Sequence, residues 1–174
     1  MAFDAFLYFP GATDLIPGES QDSEMNAKKA FELISFSFGA ENNINIGSAS
    51  TGGGAGKATF KEFSITKKTD ACSCGIFTQL VLGKHFDDAV LELRRSGGST
   101  ETSGVTFLKF MFKLVMVQDI EWSGSDGDDV CEESVVFQYG AIQVEYSQQD
   151  AKGKMKKTHD SKWSRVKNKY VFEV

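Results

Sequence analysis

The residue types that do chemistry are sparse in this chain and poorly spaced for it. Gly54 to Lys57 reads GAGK, the closing half of a phosphate-binding loop. Such a loop cradles phosphates with backbone amides, reaches them with its lysine, holds magnesium with a following Ser or Thr, and opens a helix. Here Thr51 stands where the first glycine belongs, Ala58 replaces the hydroxyl, and the next segment has a strand pattern. GAGK is therefore read as part of a glycine-rich loop that another backbone can approach closely. Cys72, Cys74 and His85 carry metal-ligating atoms, but a structural zinc needs about four ligands, usually in CxxC pairs, and CxC is the wrong spacing. Cys131 lies far away in an acidic stretch. Asp126, Asp128, Asp129 and Glu132 offer hard oxygen donors without the roughly twelve-residue calcium-loop spacing, so they read as an acidic hairpin tip. His85 and His159 are the only histidines, and no GxSxG elbow is present. The sequence therefore predicts no catalytic residue, no metal site and no cofactor. An enzyme working with paired carboxylates of the acidic loop stands as a rival reading.

The elements that would position these residues are mostly strands. Gly104 to Ser123, GVTFLKFMFKLVMVQDIEWS, dominates the chain. Its even positions, from Leu108 through Phe110, Phe112, Leu114 and Met116 to Ile120 and Trp122, form a nearly pure apolar face. Its odd positions mix Lys109 and Lys113 with Phe107, Met111, Val115 and Val117. A strand apolar on both sides is central in a closed barrel or covered by a partner chain. A helix is excluded because the apolar residues would encircle it, and a membrane span because the apolar runs fall short of ~18 residues.

Phe3 to Phe9 alternates as a first strand, and residues 12–28 form a polar loop. Ala30 to Gly39 is a second strand whose apolar parity changes near Leu33, the mark of a β-bulge. Asn42 to Lys57 is a long glycine-rich loop, and Ala58 to Lys68 a third strand. Ser73 to Leu82 is the helix candidate: Ile76, Phe77, Leu80 and Val81 form its stripe, Asp70 or Ser73 can cap its start, and Gly83 sits at the C-cap position. Phe86 to Arg95 is a fourth strand with Ala89, Leu91 and Leu93 on one face. After a turn over Gly124 to Asp129, Glu133 to Gln148 is the last strong strand, shifting parity at Gly140. A final strand is expected around Lys169 to Val174.

With 174 residues, 41% hydrophobic and 25% charged, the chain is read as one domain over residues 1–174 with a real core. Fifteen phenylalanines and only two prolines favour β structure. The net charge of -5 argues against a general nucleic-acid binder. The charge is uneven: Asp119 to Glu133 is acidic, while the tail from about residue 151 is basic between Lys152 and Lys169. Segregation of this kind reads either as pairing between surfaces of different copies or as two solvated loops. Three cysteines with one tight pair make no disulfide framework and fit a reducing compartment. The start, MAFDAFLYFPG, lacks a cleaved leader's basic start and long apolar run.

The order of segments resembles a known family. A short first strand precedes a loop ending PGES and the Phe-rich strand ISFSFG. A glycine-rich loop then closes in GAGKATFKEFSITKKTD, followed by a short helix leading to GKHF and a final strand VVFQYGAIQVEY with its QQ. From about Met1 to Gln149 the chain resembles the haemolysin-coregulated protein (Hcp) family, the inner-tube proteins of type VI secretion systems. The most specific parts are Gly54 to Asp70 and the Gly83 to Phe86 turn. The chain departs from the pattern in a longer Gly11–Gly18 loop, the acidic Gly124–Glu133 turn and the basic tail beyond Lys152.

The resemblance implies a mainly β fold, a compact β-barrel of two packed antiparallel sheets with one short α-helix on its side. It implies six-membered rings with a wide pore, stacked into a tube that a contracting sheath drives outward, with small effector proteins in the lumen. The implied partners are further copies of the chain, sheath and spike proteins, and effectors. The implied location is the bacterial cytoplasm, then secretion without a cleaved signal peptide, with neither nucleic acid nor membrane insertion involved. Candidate contact residues between subunits or stacked rings are Asn45, Gly47, Gly53, Gly54, Gly56 and Lys57 of the glycine-rich loop, and Asp126, Asp128 and Asp129 of the acidic turn. Acidic and basic patches on opposite rims would favour head-to-tail stacking. The rival from another class is a monomeric β-barrel binding a small apolar ligand.

Overall fold

The computed structural model describes residues 3–45, 54–95, 104–149 and 155–174. Its elements are β1 (Asp4–Tyr8), β2 (Phe31–Glu32), β3 (Ser35–Ser37), β4 (Ala40–Asn45), β5 (Gly54–Phe60), β6 (Phe63–Lys68), α1 (Cys72–Leu82), β7 (His85–Arg95), β8 (Val105–Ser123), β9 (Glu132–Gln149) and β10 (Met155–Ser164). Eight strands form one antiparallel sheet in the order β2-β1-β7-β8-β9-β6-β3, with β10 beside the second half of β9. The sheet curls strongly, and its two edge strands are consecutive pieces of a single segment. Leu33 donates its N–H to the Ala5 carbonyl at 2.9 Å, and Ile34 donates to Thr66 at 2.8 Å. The parity change at Leu33 is thus more than a bulge: the chain leaves β1 there and joins β6, so one segment links the two edges of a strongly curled half-barrel sheet that stands beside the small β4–β5 sheet.

Aromatic rings fill the interior. Phe63 stacks on Phe112 at 4.6 Å between centroids and on Phe137 at 5.7 Å, while Phe9 meets Phe86 at 4.3 Å. Phe9, Phe63, Phe112 and Phe137 are essentially inaccessible to water. Each fully buried ring contributes about 1.5–3 kcal/mol relative to exposure. Tight filling of this kind is how a barrel with few strands closes without a void.

The long central strand does not keep one face. Leu114 has a positive φ of 51°, opposite Gly140 on β9. Both strands change parity there: Phe110 and Phe112 point inward before the kink, Val115 and Val117 after it, while Val135, Phe137 and Tyr139 give way to Ile142 on β9. The even-position face predicted for Leu108 to Trp122 is therefore split, and Met116 is turned outward. A Cβ on Gly140 would lie 2.8 Å from Val174 Cγ1 and 3.1 Å from Leu114 Cβ, so glycine is needed for close approach here.

Other boundaries move for similar reasons. The predicted third strand is divided at Lys61–Glu62, where the chain passes from the β4–β5 hairpin into the barrel. Residues 42–45 and 54–57, expected as loop, are strands of that hairpin. The last strand is β10 rather than residues 169–174, which form an isolated Ser164–Lys169 bridge and pack Phe172 and Val174 against β8 and β9. α1 ends as predicted, with Gly83 left-handed at φ 61°. At its start Asp70 Oδ1 accepts the Cys72 N–H at 3.0 Å, and Ser73 Oγ accepts the Asp70 N–H at 3.1 Å. Only half of the predicted stripe is inward. Ile76 is buried and Leu80 partly so, whereas Phe77 and Val81 are 44% and 58% exposed.

Candidate assembly surfaces

A buried ionic cluster anchors one end of the barrel. Lys67 and Glu133 are both inaccessible to solvent and meet at 2.8 Å. The Lys67 ammonium also donates to Asp70 Oδ1 at 2.8 Å, the Lys68 carbonyl at 2.7 Å and Ser73 Oγ at 3.2 Å. Burial by itself would lower the Lys67 pKa. The hydrogen bonds to Asp70 and Glu133 and the negative charge of Asp70 oppose that, and the Lys67 pKa stands above the usual lysine value. Glu133 further accepts from Ser73 at 2.9 Å, Thr69 at 3.2 Å and the Trp122 indole N–H at 2.8 Å. Burial also pushes the Cys72 thiol well up, so it is an inert core thiol. The three ammonium N–H groups are all taken up by these acceptors. The cluster ties β6, α1, β8 and β9 together and fixes the Trp122 ring.

A second cluster fastens the polar 12–28 loop onto the outside of the sheet. Glu92 on β7 accepts from Tyr8 at 2.6 Å, Lys28 at 2.8 Å and Thr106 at 2.8 Å. Arg94 pairs with Asp22 and Glu24, each at 2.7 Å. Beneath these bonds Met25 and Ala30 cover Phe6, Tyr8, Val90 and Met111. Of the two covers expected for the second face of the central strand, a barrel interior or a partner chain, part is thus supplied by the chain itself. The chain covers the Met111 end itself, Phe172 lies over Lys113, and Val115 and Val117 belong to the core. The sequence signal was present but weak: Met25, a single large apolar residue in a polar stretch, is buried.

The residues singled out in the glycine-rich loop lie on the β4–β5 hairpin. Asn45 pairs with Gly54 at its outer end, Gly56 lies at the register shift between the Asn42–Ala58 and Ile44–Ala55 pairs, and Lys57 is exposed. A Cβ on Gly56 would approach the Asn43 carbonyl to 2.7 Å, so the hairpin strands are closely apposed. Gly47 and Gly53 fall outside the described residues. Among the described residues the two strands pair only with each other. Between this arm and β10 runs a groove of about 750 Å³ lined by Phe38, Phe60, Ile142, Val144, Trp163 and Tyr170, with Lys57 and Lys162 at its margin.

Asp126, Asp128 and Asp129 are exposed on the turn between β8 and β9. Asp128 Oδ2 accepts the Ser125 N–H at 2.8 Å, which braces the turn. No cluster of His, Cys, Asp or Glu among the described residues has metal-binding geometry. Beside the turn, Trp122 is 45% exposed and meets Phe77 of α1 at 5.7 Å. The sequence did hold a signal for this patch, since CSCGIFTQLVL contains no charged residue, unusual for a solvent-facing helix.

Comparison with known proteins fits this architecture. The family model described as "Type VI secretion system effector, Hcp" matches residues 6–146. The chain belongs to the Hcp family. The curated relative "Protein hcp1" of Pseudomonas aeruginosa is 31% identical over 97 residues, 56% of this chain and 58% of that protein. The match thus spans well under two thirds of that relative's length. A solved structure described as a type six secretion system protein superposes with TM-score 0.84 at 30% identity, covering 97% of this chain and 99% of the other. Hcp1 of Salmonella typhimurium superposes with TM-score 0.73 at 24% identity, covering 98% and 100%, which speaks to the fold. Hcp proteins are structural secretion proteins rather than enzymes. No helix among the described residues is long and apolar enough to cross a membrane.

Proposed function

We propose that this Hcp-family chain is the ring-forming subunit of a type VI secretion tube. Six copies close a ring, rings stack head to tail, and small effector proteins travel in the lumen. Assembly begins in the bacterial cytoplasm and meets sheath and spike proteins, and the tube is secreted by the type VI system. The observation that carries this reading is the β4–β5 arm. A two-stranded hairpin is marginal alone in water, and this one has no third strand among the described residues. A neighbouring copy would supply the missing surface, with Asn45, Gly54, Gly56 and Lys57 in the contact. The acidic turn of Asp126, Asp128 and Asp129 is a further contact between copies. The rival of a barrel holding a small apolar ligand is disfavoured by the interior, which Phe9, Phe63, Phe112 and Phe137 already fill.

Size-exclusion chromatography with light scattering, followed by negative-stain imaging, tests the proposal. The expected result is a particle of about six times the monomer mass with an annular outline. A monomer at every concentration would refute it.

A further inference from the structure

Two surfaces of this barrel are complementary in shape and charge and lie at different places on it. One is a knob: the exposed rings of Phe77 and Trp122 at 5.7 Å, together with Val81, 58% exposed. Acidic groups follow at once on the same end, with Glu121 before Trp122 and Asp126, Asp129 and Glu132 after it, all exposed. The Trp122 ring is held in place before any partner arrives, because its N–H is bound at 2.8 Å to the buried Glu133. The other is the apolar groove of about 750 Å³ between the β4–β5 arm and β10. Cations stand around it: Lys57 and Lys162 line it, and Lys169 is exposed beside Tyr170, itself 59% exposed. Exposed aromatics that are rigid in the free protein are the usual anchors of an interface, and opposite charge around apolar centres sets register and partner choice.

We infer that the Phe77–Trp122 knob of one copy docks in the β4–β5/β10 groove of the next. The inference rests on the ring reading above and assigns a specific contact to it. Because knob and groove are different patches, the contact is heterologous. Repetition of such a contact closes a ring or builds a filament, and cannot stop at a symmetric dimer. The knob explains why a charge-free helix is tolerated on the outside, and the cationic groove explains why the basic segment sits at the foot of the arm.

The test uses two full-length charge-reversed variants, D126K/D129K and K57E/K162E. Asp128 is left intact because it braces the turn. Each variant alone is expected to lose assembled mass in sedimentation velocity at concentrations where the wild type is assembled, with at least a tenfold weaker association. Mixed one to one, each variant's reversed patch meets a complementary patch on the other, so assembly is expected to return with the two alternating. Should K57E/K162E fail to fold by circular dichroism, Tyr170→Asp, at an exposed position, replaces it. Variants that assemble like wild type, or a mixture that stays dissociated, would overturn the contact and leave the ring reading standing. A wild type that is monomeric throughout would overturn the ring reading itself.

Discussion

Replacing Lys67 by methionine isolates what the buried ionic cluster contributes. Methionine keeps much of the stem's volume and removes the ammonium. Glu133, inaccessible to water, then retains Ser73, Thr69 and Trp122 as donors but loses its only buried cation. Breaking a buried pair by removing one partner costs about 3–5 kcal/mol, because an uncompensated charge remains. The surviving donors place this case toward the lower figure. In a chain of this size each kcal/mol shifts the melting temperature by roughly 2–4 °C, so the expected fall is about 6–20 °C. Since assembly raises apparent stability by mass action, K67M and wild type are compared at the same protein concentration. The double variant K67M/E133M removes both charges and should recover most of the loss, because a buried pair replaced by apolar side chains is often neutral or better. A single variant that loses less than about 1 kcal/mol, or a double variant no better than the single, would refute the view that an unpaired Glu133 carries the penalty.

Gly140→Ala should destabilise by about 1–3 kcal/mol through overpacking against Val174 and the backbone-adjacent Cβ of Leu114, read as a lower urea midpoint; an unchanged midpoint would show that the crossing point is loosely packed. Glu92 sets an acid limit. Burial alone would raise its pKa, but hydrogen bonds from Lys28, Tyr8 and Thr106 win and hold it below the usual carboxylate value. A carboxyl lowered on folding stabilises the fold above its unfolded value near pH ~4.3, and that contribution is lost as pH falls through the folded value. Glu92→Gln should therefore start less stable at neutral pH and lose less stability on acidification; parallel urea-midpoint curves for the two proteins would contradict this.

Much of the barrel was legible because alternation is a local property. The inward set Ala89, Leu91 and Leu93 needed only the period of two, and the end of α1 needed only Gly83, which tolerates a left-handed backbone without penalty. Leu114 was not legible. Nothing local marks a leucine for positive φ, and the kink exists because Gly140, paired to it across two strands, leaves room for its side chain. Nothing local marks Lys67 and Glu133 for burial, since the partner that allows each to be buried lies 66 residues away. The cover over Met111 and the exposure of Phe77 were likewise undecided by pattern, which says that a side chain is apolar and not which neighbour lies opposite. The sequence alone determined the strand periods, the helix stop and the family. The tertiary structure decided which faces are inside, because only the curl of the sheet, whose β2 and β3 edges are linked through Leu33 and Ile34, brings distant residues close enough to exclude water.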